Sequence, residues 1–467
     1  MAPNDMTPAA TLERAAQDLP APDRDAGHVV VVGGGIAGIV GARLLADRHA
    51  NVTLIERDQS LGGLMRSFTN EAGQTFDHGT HYALATNEPE LDRLLFDDLL
   101  DDDWHVFEDS LREGHYFNGQ FNRESGCLDA RSLPEDLYRK GIVELLGLGP
   151  LSGEPKNLDE YLRATYGNTF TDYIYAPVMK KLTGSALSDL HPDAHRTFSL
   201  TRLIGFDSFV SKEIKKSSFL DAKLAYSRFA DGRSNMRKYY PKAGGVGRWA
   251  ELLVDDIARR GVDCLTERFV AEVKRDGRTI RSVVLDDGRE ITCDRVVWTV
   301  PTAFYLRAAG INVDGAPPMF RNLTLLNFTF DQAVQSDLHW ICCYDSDFAT
   351  YRVTLYPNIT LDPVAPPPHH LTVEVIGDAG DAVALKARIK RELVEIGLLP
   401  ESAKAIYENV MFLPNAFPVA TTQLVKQSRA QYEAARDSAD NLLLLGRTGG
   451  AHFQTSILRE IHSTLSG

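Results

Sequence analysis

The sequence contains few cysteines, and their spacing gives them no metal-binding or redox role. Only five occur in 467 residues, and none belongs to a Cys-x-x-Cys pair or to a Cys/His set with the spacing of a zinc site. We interpret the adjacent Cys342 and Cys343 as buried apolar residues rather than a disulfide. A disulfide scaffold and a zinc centre are thus excluded, no metal site is predicted, and a reducing, cytoplasmic location is favoured.

Long apolar runs are also missing. No stretch approaches the roughly 18 consecutive apolar residues that a membrane-spanning helix needs. Residues 1–27 have neither the basic start nor the apolar core of a signal peptide,. We therefore expect no membrane span and interpret residues 1–27, which are rich in Ala, Pro and Asp, as a disordered leader.

The sequence has fewer basic than acidic residues. The 50 Lys and Arg residues face 64 Asp and Glu residues, and the formal net charge is −14. Nonspecific binding to nucleic acid is therefore disfavoured, and an anionic substrate would have to meet a local basic pocket. The motifs of the common nucleophilic hydrolases, zinc proteases and P-loop NTPases are absent as well,.

The clearest positive signal is a strand, glycine turn, helix and strand near the amino end. An apolar run at residues 28–32 precedes Gly33-x-Gly35-x-x-Gly38, and a second apolar run at residues 52–55 ends in Glu56. The three glycines suit a tight turn, close approach of a pyrophosphate and packing of the helix on the sheet, in that order. The pattern predicts a dinucleotide whose phosphates lie at the helix N-terminus and whose ribose hydroxyls donate to Glu56.

A second glycine pair, Gly62-Gly63, follows directly after this unit. At that position the pair can run beside the bound cofactor, and the pattern is similar to that of the FAD proteins of the amine oxidase group. We therefore predict FAD rather than NAD. A plain Gly-Gly turn is the alternative interpretation.

The rest of the chain alternates between helical and sheet-like segments. Helical periodicity dominates residues 133–217, antiparallel strands are predicted at Leu323–Phe330 and Ala349–Tyr356, and Phe76–Tyr82 is predicted to be a polar loop,. The chain ends in a strand, a glycine turn with Arg447 and Gly449, and a helix from Phe453,.

These patterns predict an α/β fold with a Rossmann-type, glutathione reductase-like FAD-binding domain, an antiparallel-sheet substrate domain and a helical insertion. The expected boundaries are as follows: the leader at 1–27, a discontinuous FAD-binding domain at 28–130, 239–310 and 435–467, the insertion at 131–238, and the substrate domain at 311–434.

Four blocks together resemble the UDP-galactopyranose mutase family, within the wider amine oxidase and protoporphyrinogen oxidase superfamily. They are the nucleotide-binding unit with its second glycine pair, the loop Asp77–His81, the segment from Trp340 through Arg352 to Asn358, and Gly446-Arg447-x-Gly449. The likeness covers roughly residues 28–460. The first and last blocks are typical of the whole superfamily, whereas the His81 and Arg352 blocks point towards the mutases.

The resemblance implies a reaction in which N5 of the reduced flavin adds to the anomeric carbon of a sugar, so that the ring can open and reclose in another size. It implies that His81 lies against the isoalloxazine ring, that Arg352 binds a diphosphate, and that Arg447 and Gly449 form a second FAD contact. The alternative interpretation of His81 is a loop histidine that is hydrogen-bonded to the backbone. The alternative interpretation of Arg352 is an arginine that faces outward from a strand.

Less secure matches complete the predicted site. Arg196 corresponds to an arginine on the mobile loop that covers the nucleotide in such mutases, and Trp340 and Tyr351 would line the substrate. Aromatic residues on strands are often core, and this alternative stays open.

One residue departs from the mutase pattern. Six residues after Arg447 the mutases carry a tyrosine that donates to the substrate diphosphate, and this chain has Phe453. A hydrogen bond to a charged group contributes about 1.5–3 kcal/mol, so the natural substrate need not be UDP-galactose. The substrate-binding role of this position is therefore expected to differ.

Two functions follow. The leading one is a mutase-like enzyme for an anionic or sugar-containing small molecule such as a sugar nucleotide, with NAD(P)H or a reductase as electron donor. The alternative is an FAD-dependent oxidase or dehydrogenase of the amine oxidase group. A non-enzymatic flavin-binding module is a third interpretation, disfavoured because burying arginine and polar groups at a cofactor without use costs free energy.

Overall fold

The computed structural model of the chain describes residues 27–49, 51–99, 104–108, 112–232, 237–312, 315, 318–360, 369–378, 380–449 and 453–466. The leader predicted at residues 1–27 lies outside the described residues, except for Gly27. The site residues predicted above all lie inside them.

The strands of the described residues are β1 (His28–Val32), β2 (Asn51–Ile55), β3 (Ser67–Thr69), β4 (Thr75–Asp77), β5 (Ala83–Leu84), β6 (Trp104–Phe107), β7 (Glu113–Phe117), β8 (Gln120–Asn122), β9 (Lys238–Pro241), β10 (Asp263–Leu265), β11 (Val270–Asp276), β12 (Thr279–Leu285), β13 (Glu290–Thr292), β14 (Arg295–Trp298), β15 (Phe320–Phe330), β16 (Trp340–Cys343), β17 (Thr350–Leu355), β18 (His369–Ile376), β19 (Ala405–Pro418) and β20 (Leu442–Leu444). The α-helices are α1 (Ile36–Ala46), α2 (Pro89–Asp92), α3 (Glu135–Gly147), α4 (Leu158–Phe170), α5 (Ala176–Thr183), α6 (Ser208–Ile214), α7 (Ser218–Asp221), α8 (Gly247–Arg259), α9 (Thr302–Ala308), α10 (Tyr356–Thr360), α11 (Ala382–Glu395), α12 (Thr422–Arg436) and α13 (Gln454–Leu465).

The nucleotide-binding unit is built on a parallel sheet in the order β10-β2-β1-β14-β20. Strand β1 is apolar throughout because both faces of the sheet are covered. Val29 and Val31 pack in the core that holds α1, α8 and α13, whereas Val30 and Val32 pack in the core on the other side. The predicted Rossmann-type fold of this unit is confirmed.

The second face of the parallel sheet is covered by the antiparallel sheet β11-β12-β13 and by α9 and α12. Most of helix α12 falls within residues 311–434, the predicted substrate domain, and its last two residues fall in the predicted FAD-binding segment. Its Tyr432 and Ala435 both share the core of Val30 and Trp298, because the apolar stripe of the helix is buried against the parallel sheet,. The helix therefore packs with the nucleotide-binding unit.

A larger sheet has the order β19-β15-β18-β17-β16-β7-β8 and is antiparallel apart from the β16–β7 pair. The predicted strands at 323–330 and 349–356 form its centre. Strands β7 and β8 lie in the segment 28–130 that the sequence analysis assigned to FAD binding, but their pairing attaches them to this sheet. Such long-range pairing leaves no local signal in the sequence.

The two faces of the larger sheet differ in polarity. On β18, Leu371 and Val373 share a core with Ile389 and Leu393 of α11. The alternate residues Thr372 and Glu374 point to the opposite face, where Glu374 accepts from Thr80 in the segment that follows β4 and Thr372 is hydrogen-bonded to Tyr356 OH,. This polar face carries much of the candidate site.

The insertion predicted at residues 131–238 is largely helical, with α3 to α7 and several single turns. Tyr166, Phe170 and Tyr175 are fully buried in its core, together with Tyr351 from β17. The insertion is thus packed on one end of the larger sheet.

Lys181 on α5 joins the insertion to that sheet. Its Nζ donates to the carbonyl oxygens of Cys343, Asp345 and Thr350 at 2.8 to 2.9 Å. We expect Lys181→Met to lower the free energy of unfolding by about 3 kcal/mol, because three carbonyls lose a charged donor. The neighbouring Lys180 is exposed and donates only to Gly184 O.

Thermal and urea denaturation of Lys181→Met, with Lys180→Met as the matched control, would check this prediction. The control should change stability by well under about 1 kcal/mol. If both variants lose the same free energy of unfolding, the contact of Lys181 with the three carbonyl oxygens does not contribute to stability.

None of the helices in the described part of the chain has the length and apolar character needed to cross a membrane. The same residues contain no group of three or more His, Cys, Asp or Glu side chains arranged to hold a metal ion. Their five cysteines are all free thiols, and Cys343 is buried as predicted, whereas Cys342 is only partly buried.

Candidate cofactor and substrate site

The first glycine loop is held by contacts that exclude side chains. Gly33 has a φ of +108°, and a Cβ there would lie 2.5 Å from Thr299 Oγ1. A Cβ on Gly38 would lie 1.8 Å from the carbonyl oxygen of Gly33. Both positions therefore require glycine for the turn and for packing of α1, as the sequence predicts.

Gly62 and Gly63 lie against this first loop. The Gly62 N–H donates to Gly34 O at 2.7 Å, and a Cβ on Gly63 would lie 3.1 Å from Gly35 Cα. Both residues have positive φ values, of +109° and +61°. The pair is thus more than a surface turn, because it supports the loop that would face a pyrophosphate.

Glu56 is oriented by two backbone donors at the end of β2. Its Oε2 accepts from Gly34 N at 2.6 Å, and its Oε1 accepts from Asp58 N at 2.8 Å. A cavity of about 540 Å³ lies next to the segment that follows Glu56 in the chain. It is lined by Arg57, Asp58, Gln59, Ser60, Arg66, Glu267, Phe269 and Asp286.

The start of α1 is open towards a ligand. Gly35 is the N-cap, no side chain caps the helix, and the first turn contains no acidic residue. A Cβ on Gly35 would meet nothing within 4 Å. Free N–H groups, a positive helix end and open space beside Gly35 fit a dinucleotide pyrophosphate.

His81 is the next predicted residue, in the segment that follows β4. Burial, together with the nearby positive charge of Arg352, lowers its pKa to about 4, whereas Glu374 opposes the shift. Its Nδ1 is buried and has no hydrogen-bond partner among the described residues. At neutral pH His81 is therefore an uncharged imidazole with one ring nitrogen uncommitted.

Arg352 forms a buried ion pair that the sequence analysis did not foresee. Its Nε and Nη2 donate to the two carboxylate oxygens of Glu374, each at 2.8 Å. Thr80 N and Thr80 Oγ1 donate to the same carboxylate at 2.8 and 3.0 Å. Although burial opposes it, the Arg352 charge holds the pKa of Glu374 below its ordinary value.

This pair fixes the guanidinium without using all of its donors. Arg352 and Glu374 are cross-strand partners on β17 and β18, so their geometry is set by the sheet. Arg352 Nη1 makes no hydrogen bond to another described residue, and the side chain is 22% exposed. Glu374 therefore positions Arg352, while Nη1 remains available to an acceptor on a ligand.

Asp77, just before the His81 segment, was predicted to lie in a polar loop. It is instead the last residue of β4 and is 1% exposed. The loop prediction is wrong at Phe76 and Asp77, because Phe76 fills an aromatic core and Asp77 is enclosed by hydrogen-bond donors. Ser67 Oγ, Tyr240 OH and Val246 N donate to its carboxylate at 2.6 to 3.0 Å.

Asp77 gives a testable pH dependence. Burial raises its pKa to about 6 despite these hydrogen bonds, whereas the pKa of an unfolded aspartate is about 3.9. The folded state therefore binds more protons between these values, and stability contributed by Asp77 is lost as pH rises from about 4 to 6. The loss should be about 3 kcal/mol in total.

Urea denaturation at a series of pH values would measure this loss, with Asp77→Asn as the comparison. The difference in unfolding free energy between wild type and Asp77→Asn should fall as pH rises from 4 to 7. A difference that stays constant over that range would contradict the prediction.

Arg447 lies near His81, and its charge contributes to the lowered His81 pKa. It is exposed to solvent, yet surrounding protein lowers its own pKa through desolvation. This combination suits a cation on the wall of a cleft. Arg447 and Gly449 belong to the single turn Gly446–Gly449 before α13.

Phe453 is the N-cap residue of α13 and is 51% exposed. The adjacent Gln454 accepts from Leu84 N at 2.9 Å through Oε1, which joins α13 to the segment after His81. Its Nε2 is buried without a partner among the described residues. The structure thus brings the His81, Arg352 and Arg447 blocks together, and the Gln454–Leu84 contact brings the start of α13, where Phe453 lies, to the segment after His81.

The other predicted substrate residues are placed differently. Tyr351 is 5% exposed and packs edge-on against Phe198, with the Arg352 guanidinium 5.5 Å from its ring centre. Trp340 is partly buried, and its ring centre lies 5.2 Å from that of Tyr82. Arg196 is paired with Asp193 at 2.8 Å and contacts neither His81 nor Arg352 among the described residues.

Sequence reasoning missed Glu374, Glu113 and Lys238. Glu374 had a signal, since it is a single acid inside the otherwise apolar alternation of β18. Glu113 and Lys238 start strands β7 and β9 and carry no motif. Their charges act on each other across the site, and Arg352 also acts on Glu113.

The parallel sheet, the two glycine loops, Glu56 and the open start of α1 define an FAD-binding protein. The family model of the flavin containing amine oxidoreductases matches residues 36–446, and the chain belongs to this family. FAD is its cofactor.

Two solved structures are similar over nearly the whole chain. A reduced UDP-galactopyranose mutase is 15% identical, with a TM-score of 0.72 and coverage of 94% of this chain and 93% of that chain. A putrescine oxidase bound to putrescine is 13% identical, with a TM-score of 0.58 and coverage of 94% and 98%. At these identities the likeness shows the fold alone.

A curated relative matches over a shorter segment. The carotenoid phi-ring synthase of Streptomyces griseus is 48% identical over 65 residues, which are 13% of this chain and 13% of that protein. The chain thus matches only a small part of this relative's length.

Proposed function

We propose that this flavoenzyme isomerises the ring of a sugar nucleotide or a related glycosyl compound, in the manner of the UDP-galactopyranose mutases. The observation that carries the proposal is the neutral His81 beside Arg352. Glu374 holds the Arg352 guanidinium through Nε and Nη2, and no other described residue binds Nη1. Bound FAD would supply, in its reduced form, a nucleophilic N5 for the anomeric carbon.

Each side chain has a role in this reaction. Arg352 would donate through Nη1 to the departing phosphate, and because Glu374 already fixes its fork, little entropy is lost on binding. His81 would hydrogen-bond beside the ring system without adding charge. Arg447 would face the FAD pyrophosphate, where a cation is favoured.

The proposal needs an external source of electrons to reduce the flavin. The chain has one dinucleotide-binding unit by sequence, and that unit is assigned to FAD. We therefore propose NAD(P)H from solution or a separate reductase as the donor.

An FAD-dependent oxidase or dehydrogenase is the second candidate, and Phe453 favours it. In the mutases that the sequence resembles, this position donates a hydroxyl to the diphosphate, whereas here an exposed phenyl ring is presented. Such a ring suits an apolar or amine substrate that transfers hydride to oxidised flavin.

Anaerobic turnover separates the two candidates. The purified holoenzyme is reduced with dithionite and incubated with a panel of sugar nucleotides, and products are followed by chromatography beside flavin spectra. Isomerised product formed only by reduced enzyme, with the flavin still reduced at the end, supports the mutase. Unchanged sugars, together with bleaching of oxidised enzyme by an amine or alcohol, would establish the oxidoreductase instead.

A further inference from the structure

A set of uncommitted polar groups lies next to the Arg352–Glu374 pair, on the same face of the larger sheet. Glu113 on β7 is the register partner of Trp340 on β16, which in turn is the partner of Thr354 on β17. Register partners point to the same face. Glu113 therefore faces the side on which Thr354 contacts Thr80.

Glu113 is partly buried and makes no hydrogen bond or ion pair to another described residue. Its Oε2 occupies the space above Gly126, where a Cβ would lie only 2.6 Å from it. Burial raises the pKa of Glu113, and Lys238 and Arg352 oppose that shift. A carboxylate placed like this has acceptor capacity that a ligand can use.

Two donors lie within electrostatic range of this carboxylate. Lys238 on β9 makes no hydrogen bond or ion pair to another described residue, and burial lowers its pKa. Tyr82 is 9% exposed, and its hydroxyl is buried without a partner in the described part of the chain. The Tyr82 ring also contacts Trp340, so an aromatic surface borders the polar groups.

We propose that Tyr82, Glu113, Lys238 and Trp340 form the subsite for a neutral, hydroxyl-bearing ring of the substrate. A ring of this class offers hydroxyl donors to Glu113, hydroxyl acceptors to Lys238 and Tyr82, and a C–H face to the indole of Trp340. An aliphatic or purely anionic group would leave one or more of these groups unpaired. The inference rests on the proposed function, and it names the residues that would bind the glycosyl part.

The first test separates the nucleotide from the ring. Oxidised holoenzyme is titrated with UDP and with UDP-galactose, and binding is followed by the change in the flavin spectrum. Glu113→Gln should weaken the binding of UDP-galactose at least about tenfold. The affinity for UDP should change less than about twofold, because UDP lacks the sugar ring. Lys238→Met should act in the same direction, and the exposed Glu401→Gln is the matched control.

The outcomes distinguish the two proposals. If Glu113→Gln weakens the binding of UDP and UDP-galactose equally, or changes the binding of neither compound, the proposed subsite is wrong. The proposed sugar-nucleotide function still stands in that case. If wild type binds neither compound, the proposed function has failed, and methyl galactopyranoside and butylamine are then titrated. If the glycoside changes the flavin spectrum and Glu113→Gln weakens that response, the proposed subsite stands. If the glycoside gives no such response, or if only the amine gives one, the proposed subsite is wrong.

Discussion

Gly35→Ala should give a folded chain that no longer retains FAD. Gly35 has φ −73° and ψ 173°, a conformation open to any residue, and a Cβ there would meet no atom within 4 Å. The methyl group would instead occupy space that the pyrophosphate needs against the backbone. We expect FAD affinity to fall on the order of a hundredfold, which corresponds to about 2.7 kcal/mol.

The measurement is the flavin content of the purified variant, together with its FAD dissociation constant and the melting temperature of the flavin-free protein. Gly38→Ala is the matched control within the same loop. Its Cβ would overlap the Gly33 carbonyl oxygen at 1.8 Å, so the flavin-free protein itself should be destabilised. Full flavin retention by Gly35→Ala would mean that the pyrophosphate does not pass over this residue.

The contrast between these glycines shows what the sequence could predict. Their spacing, the flanking apolar strands and the terminal Glu56 are local features, and local physics decides whether a strand turns into a helix there. The Rossmann-type unit, its dinucleotide cofactor and the roles of Gly33 and Gly38 followed from them, whereas FAD in particular was predicted from Gly62-Gly63 and the resemblance they carry. The open space beside Gly35 could be seen only in three dimensions.

The larger sheet was harder to predict because its pairs are distant in sequence. Strands β7 and β8 join it through β16, more than 200 residues further along the chain. Periodicity identifies a strand but not its partner. Glu113 was missed for this reason, since only the β7–β16 pairing places it on the site face.

Arg352 shows a similar limit at the level of one side chain. The resemblance predicted an arginine for a diphosphate, and the sequence alone left open an outward-facing strand residue. The register of β17 and β18 shows instead that Glu374 is its partner. A lone acid in the apolar run of β18 was the available signal, because a buried carboxylate in a sheet needs a paired charge or several donors.

Glu374→Gln should be among the most destabilising single changes in the described part of the chain. Glu374 is 0% exposed and accepts from Arg352 Nε, Arg352 Nη2, Thr80 N and Thr80 Oγ1. The amide leaves the Arg352 charge buried without a counter-charge, which costs about 3–5 kcal/mol in comparable pairs. The His81 segment should loosen as well, because the single neutral amide oxygen is a weaker acceptor for Thr80 than the carboxylate,.

A double-mutant cycle would measure the coupling. Arg352→Met with Glu374→Gln removes the stranded charge, so the double variant should be more stable than Glu374→Gln alone. Melting temperatures of the four flavin-loaded proteins give the coupling, and Thr80→Val reports the loss of one hydroxyl donor separately. Additive losses would show that the pair contributes no interaction energy. If the double variant regains stability but does not regain turnover, Arg352 acts in the reaction and Glu374 positions it.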